Sequence, residues 1–392
     1  MTPTSNLVNR IISSTIAGLI AVIVGFTSSI ALIYQMVIDL GGNVELASSW
    51  LLALGLSMGL TSIGLSLFYK VPILIAWSTP GVALLLADAS NYNLNEAIAG
   101  FMISALLIFV SGITAWFEKL ADKIPFQLAS AMLAGILINF GIEVFNQMNQ
   151  QPFLVISMLF VYWISKQIIP RFTMLSVLVV GILLSWQLDL TNPIESSTSL
   201  SGFQYISPEF TFDALLGIGL PLFIVTMAAQ NLPGIAVLKA HHYKTPVSSV
   251  MSTTGAVNFV TAPFGCYAIN LAAITAAICM TNEVSDKPSE RYWAAISGGF
   301  FYIVMAIFSG FLMSAFSALP TALIYALAGI ALFSTISNSI QQSLTDNRYL
   351  EASMITLLVT ASDLSLWGIS SVLWGLILGS VTIIIQSALK NN

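Results

Sequence analysis

Charge is the scarcest property of this 392-residue chain: Asp, Glu, Lys and Arg together make up 7% of it, and histidine occurs twice. A soluble domain carries about 25% charged residues. With 57% hydrophobic residues and a mean hydropathy of +0.91, the chain has too little polar surface to live in water and is read as a bilayer protein. Cysteine is nearly absent too. Cys266 and Cys279 fall in one apolar stretch, which excludes a disulfide framework and a CxxC metal spacing. His241 and His242 sit between Lys239 and Lys244 in a polar connection and read as solvated. There is no HExxH, GxSxG or paired-Asp motif, so an enzyme is not expected, nor a metal, a cofactor or a nucleic-acid partner. The opening MTPTSNLVNR has one basic residue and leads into an apolar run longer than a signal-peptide core, so it reads as the start of a first span.

What is present is a succession of apolar runs. Polar, Pro or Gly punctuation divides the chain into fourteen of them, near 11–38, 47–68, 72–88, 94–115, 125–146, 152–166, 170–188, 213–238, 246–261, 263–280, 291–316, 320–343, 350–363 and 365–389. Several are shorter than the roughly 20 residues that a straight membrane helix needs, which calls for broken or tilted helices. With the N-terminus cytoplasmic, the inner connections hold Arg10, Lys70, Lys119, Lys123, Lys166, Arg171, Lys239, Lys244, Lys287, Arg291, Arg348 and Lys390, all 12 basic residues. The outer ones hold only acids: Asp39, Glu45, Asp88, Glu96, Glu143, Asp189, Glu195, Glu209, Asp213 and Asp363. Such segregation predicts a multi-pass membrane protein with both termini cytoplasmic.

The two halves of the chain repeat each other. Span 3, VPILIAWSTPGVALLLADAS, and span 10, VTAPFGCYAINLAAITAAIC, each contain an apolar stretch, a Pro/Gly/Ser/Thr break and a small-residue helix. Spans 5 and 12 both open on Pro and place Ala-Gly eight or nine residues later. Seven spans is an odd offset, so the repeats are inverted. The expected fold is therefore an all-α polytopic membrane protein of 14 transmembrane segments in two inverted 7-span repeats, with spans 3 and 10 interrupted. Inverted repeats with matched breaks mark secondary transporters with a binding site near the midplane.

The breaks supply the candidate site. In WSTPG, the sequence predicts Thr79 as N-cap and Pro80 as first helical residue, with free N–H groups from Gly81 onward facing an anion. Trp77 and Ser78 precede the break. In span 10 the break is predicted at Pro263, Gly265 and Cys266, with the helix resuming around Tyr267 and Asn270 one turn in. Gln230 and Asn231 are two adjacent carboxamides deep in span 8, where only helix or ligand partners make them affordable. Span 1 adds Thr27, Ser28 and Ser29, and Phe26, Trp77 and Tyr267 are candidate ring-packing partners. No Lys or Arg falls well inside a span, which points to a small, singly charged or co-protonated ligand.

At STPG, AAQNLPGIA and FGCYAINLAAITAAIC the chain resembles the benzoate:proton symporter family (BenE type), a distant relative of the uracil and nucleobase transporters. The resemblance implies import of a benzoate-like aromatic carboxylate with a proton, by motion of a core domain (spans 1–4, residues 1–120, and 8–11, residues 191–317 with the outer loop) against a gate domain (121–190 and 318–392). The nucleobase relatives carry acids at the positions matching Gln230 and Ile269. Amides and helix N-termini suit a carboxylate ligand, but their use here leaves no obvious protonation site. An anion channel or a nucleobase-type transporter on the same scaffold is the alternative, and a homo-oligomer is compatible with either.

Overall fold

A computed structural model describes residues 3–87, 89–115, 125–193, 202–362, 364, 366 and 370–390. Asp88, Lys119, Lys123, Glu195 and Asp363, and both chain ends, lie outside them. The helices of the first half are α1 (Pro3–Thr27), α2 (Ile30–Asp39), α3 (Val44–Tyr69), α4 (Thr79–Ala87), α5 (Leu94–Thr114), α6 (Phe126–Gln147), α7 (Pro152–Ile168) and α8 (Thr173–Gln187). The second half contains α9 (Ala214–Ala240), α10 (Val247–Thr261), α11 (Ile274–Cys279), α12 (Tyr292–Ile307), α13 (Ser309–Ser317), α14 (Thr321–Ser343), α15 (Leu350–Ala361) and α16 (Ser371–Lys390). Among the described residues, 8 helices are long and apolar enough to cross a membrane, or up to 9 if the α12–α13 pair, bent by 62°, is one span.

Apolar length forms these helices, and local polar chemistry ends them. Asn93 caps α5 with its side chain while Glu96 reaches back to the Asn93 N–H, a capping box at the head of an otherwise hydrophobic helix. Helices approach closely where side chains vanish. A Cβ on Gly18 of α1 would lie 2.5 Å from the Gly298 nitrogen, and one on Gly59 of α3 would lie 2.6 Å from the Gly299 oxygen, so α12 is clamped between α1 and α3 by glycines. A second group joins α6 to α14 and α15, and α15 to α16.

Two details depart from a reading as uniform spans. The first span is interrupted by a turn at Ser28 and Ser29 between α1 and α2. The eighth is wound wide in two places, Ala214–Gly219 and Met227–Asn231, the second containing both carboxamides. Such wide turns leave backbone groups and side chains displaced from the regular helical ladder.

Two strands occupy the middle of the chain's two breaks. β1 (Ile75–Trp77) pairs antiparallel with β2 (Ile269–Leu271), with Ile75 opposite Leu271, Ala76 opposite Asn270 and Trp77 opposite Ile269. The ladder extends at both ends through Ser78 N–H to Ala268 C=O, 3.2 Å, and Ala272 N–H to Leu74 C=O, 2.9 Å. Extended backbone has no internal hydrogen bonds, and hydrocarbon offers none, so each strand needs the other.

Candidate functional site

Each strand runs into a short helix, but the two junctions differ from the sequence expectation. Ser78, not Thr79, caps α4: its Oγ accepts from the Gly81 N–H at 3.0 Å and its carbonyl from the Val82 N–H at 2.9 Å. The Ser78 hydroxyl sits one position earlier because the strand keeps extended geometry through Trp77. Pro80 is thereby the second helical residue, where its missing N–H is still harmless. The Gly81 N–H is used internally, and a Cβ there would meet Leu222 and Ser78 at 2.8 Å. The Thr79 N–H has no partner among the described residues.

Span 10 is corrected more strongly. Its helix does not resume at Tyr267; residues through Leu271 are extended and α11 begins at Ile274. Asn270 is therefore a strand residue, fully buried, and its Nδ2 donates to the Leu271 carbonyl at 3.0 Å. Gly265 ends a short turn after α10 with a left-handed φ of +92°, and an added Cβ would fall 2.0 Å from the Trp50 ring. Its smallness thus serves the turn and the packing of Trp50. The Cys266 thiol is buried and donates to Asn258 Oδ1 at 3.1 Å.

Several predicted residues do converge. The Tyr267 hydroxyl donates to the Ser78 carbonyl at 3.2 Å, linking the second break to the first. Thr226, which the sequence reading missed, donates to Ser78 Oγ at 3.4 Å. Phe26 and Trp77 lie with ring centroids 5.9 Å apart, tilted by 50°. The turn in span 1 meets the head of α4, where Ser29 Oγ is 2.7 Å from Thr79 Oγ1 and 3.2 Å from Ser28 Oγ. The run Thr27-Ser28-Ser29 was the only sequence signal for this interruption, and adjacent hydroxyls inside an apolar span commonly just bond their own helix.

The adjacent carboxamides have opposite assignments. Asn231 is fully buried; its Oδ1 accepts from the Leu271 N–H at 3.0 Å and its Nδ2 faces Met227 Sδ at 3.1 Å. It fastens the eighth span to β2. Gln230 is half-buried and has no side-chain partner among the described residues. That leaves Gln230, the Thr79 N–H and the buried Oδ1 of Asn270 as open polar groups among the described residues at the crossing, beside the hydroxyl cluster.

A cavity of about 410 Å³ opens between α2 and α4 on one wall and α6 and α14 on the other, lined by Asp39, Leu86, Ala87, Asn139, Phe140, Glu143 and Tyr325. On its walls Gln35 donates to Asp39 at 2.6 Å, and Asn146 and Gln147 donate to Glu143. At the other end of the molecule Arg171, just before α8, pairs with Glu283 at 3.1 Å. The loop bearing Glu283 is pinned by buried Arg291, which donates to the carbonyls of Met280 at 2.6 Å and Ser285 at 2.8 Å and to Asn282 Oδ1. Arg291, expected in an inner connection, holds the carbonyl end of α11, where cationic charge is favoured. No three His, Cys, Asp or Glu side chains gather as a metal site among the described residues.

A family model described as benzoate membrane transport protein matches residues 9–385. The chain belongs to the benzoate membrane transport family. Inner membrane protein YdcO of Escherichia coli is 43% identical over 378 residues, covering 96% of both chains. A benzoate membrane transport protein of Acinetobacter baylyi is 36% identical over 368 residues, covering 94% of this chain and 93% of its own. Family membership makes the chain a membrane transporter of the benzoate type, not an enzyme, and a multi-pass inner-membrane protein. In fold it is similar to the transmembrane domain of the cyanobacterial bicarbonate transporter BicA, with a TM-score of 0.62 at 15% identity, covering 94% of this chain and 96% of that one. Murine Slc26a9, an anion transporter in the inward-facing state, gives 0.60 at 15% identity, covering 97% of this chain and 68% of that one.

Proposed function

We propose that the protein imports a benzoate-like aromatic monocarboxylate together with a proton, by alternating access of a core domain (spans 1–4 and 8–11) and a gate domain (spans 5–7 and 12–14) in a 14-span inverted repeat with cytoplasmic termini. The observation that carries this reading is the crossing itself: two strand-to-helix units, joined by Tyr267 and Ser78, present an unpaired Gln230 and Thr79 N–H. In this reading the carboxyl group of the ligand binds there, with its ring beside Phe26 and Trp77. No Lys or Arg of the described residues accompanies these groups, which favours a small ligand that brings its own proton. The domain assignment is supported by the packing of α3 and α10 on the strands, with α12 on α3, α1 on α12 and α5 on α10, and by the packing of α6 with α14 and α15 and of α15 with α16. Proteoliposomes with an imposed inward proton gradient test the reading: uphill accumulation of labelled benzoate is expected, and mere equilibration would leave a channel.

A further inference from the structure

Building on that reading, we infer that the site takes the aromatic acid in its neutral, protonated form, with Thr79 Oγ1 accepting the ligand's O–H and Ser29 setting that polarity. Ser28 Oγ lies 2.8 Å from the Gly25 carbonyl, which can only accept, so the single Ser28 hydrogen is spent there. The contact of Ser28 with Ser29, 3.2 Å, then needs the Ser29 hydrogen. The contact of Ser29 with Thr79, 2.7 Å, in turn needs the Thr79 hydrogen. All three hydroxyl hydrogens are thereby used, and Thr79 Oγ1 is left with an acceptor lone pair and no hydrogen to offer.

Thr79 thus offers a donor, its unpaired N–H, and an acceptor, its Oγ1, on one half-buried residue. A carboxylate has only acceptors and would set one of them against that lone pair with no hydrogen between the two oxygens. A carboxylic acid has one acceptor and one donor and matches both. Burying an unpaired carboxylate is also far more costly than burying the neutral acid. The proton then enters on the ligand's carboxyl oxygen from outer water and leaves on it to the cytoplasm, so net charge movement is zero and no protein carboxylate has to titrate.

Other titratable groups surround α4 and span 1. Tyr34 and Asp39 lie on α2, Glu45 and Tyr69 on α3, Glu143 on α6, Lys239 at the far end of α9, Cys279 on α11, Tyr292 and Tyr302 on α12 and Tyr325 on α14, while the Tyr267 hydroxyl is committed to Ser78. Ligands of graded acidity distinguish their protonation from the ligand's. Calorimetry on the purified full-length wild type at fixed pH 7 with ring-substituted benzoates should show affinity falling about tenfold for each unit by which the ligand's own pKa drops. Benzoate affinity should fall about tenfold per pH unit from pH 6 to 8. Benzamide, a neutral donor–acceptor match, should bind with no pH dependence, and benzenesulfonate, an anion at every working pH, should not compete.

Ser29→Ala frees the Thr79 hydroxyl to turn and donate, so benzoate affinity should become at least threefold less dependent on pH between 6 and 8. Affinity independent of ligand pKa, or competition by benzenesulfonate, would overturn the inference and leave the transport reading intact. Failure of benzoate itself to bind at pH 5 would instead remove the transport reading.

Discussion

The hydroxyl of Tyr267 and the carbonyl of Ser78, 189 positions apart in sequence, meet at 3.2 Å in the middle of the molecule. The same carbonyl also accepts from the Val82 N–H, so it is not orphaned if the tyrosine is lost. Tyr267→Phe keeps the ring against Phe101, 6.2 Å between centroids, and removes one buried hydrogen bond. The expected cost is about 1 kcal/mol, read as a drop of a few degrees in the unfolding midpoint in detergent.

Gln230 and Asn231 are neighbours with separable roles, and paired substitutions should show it. Gln230→Ala is expected to weaken benzoate binding by about tenfold while leaving the unfolding midpoint in place. Asn231→Leu strands the Leu271 N–H and is expected to destabilise the protein by about 1–3 kcal/mol before any ligand is added. Calorimetry and thermal unfolding on both variants check the split; equal thermal losses in the two would contradict it.

Three glycines should rank by what surrounds them. Gly265→Val places a side chain on the Trp50 ring at a left-handed φ and is expected to abolish monodisperse expression. Gly81→Val meets Leu222 and Ser78, so a folded protein with lost benzoate binding is expected. Gly64→Ala meets nothing within 4 Å inside α3 and should be neutral or stabilising by up to about 1 kcal/mol. Fluorescence-detected size-exclusion chromatography of the three variants gives the order directly.

Sidedness is testable because both native cysteines are buried. A cysteine introduced at Lys244 is expected to react with membrane-impermeant maleimide only in inverted vesicles, and one at Gln204 only in intact cells. Labelling of position 244 from outside would sink the fourteen-span proposal.

Much of this was legible in the sequence, for physical reasons. Apolar length marks the long membrane helices, and Pro80 and Pro263 mark where a regular span is interrupted. What those signals lack is the partner. Tyr267 and Asn270 read as helical because their neighbours are small and apolar; only pairing with Ile75–Trp77 makes extended backbone affordable there, and the strand displaces the start of α11 to Ile274. Likewise, Ser78 and Thr79 are equally good caps by residue type, and the ladder that ends at Ser78 chooses between them. Asn231 and Gln230 are alike in sequence, and the wide turn at Met227–Asn231 directs one to Leu271 and leaves the other open.

The pairing of β1 with β2 also sets the order in which the protein can be completed. While the ribosome is still making the first half, Ile75–Trp77 has emerged and its partner does not yet exist. Its amides cannot be left bare in lipid, so the third span has no settled place until Ile269–Leu271 arrives. Until then the nascent chain needs shelter from insertion machinery or from water at its site of synthesis. A chain stopped before Cys266 is therefore expected to remain crosslinkable to that machinery through span 3, whereas one extended past Met280 should be released.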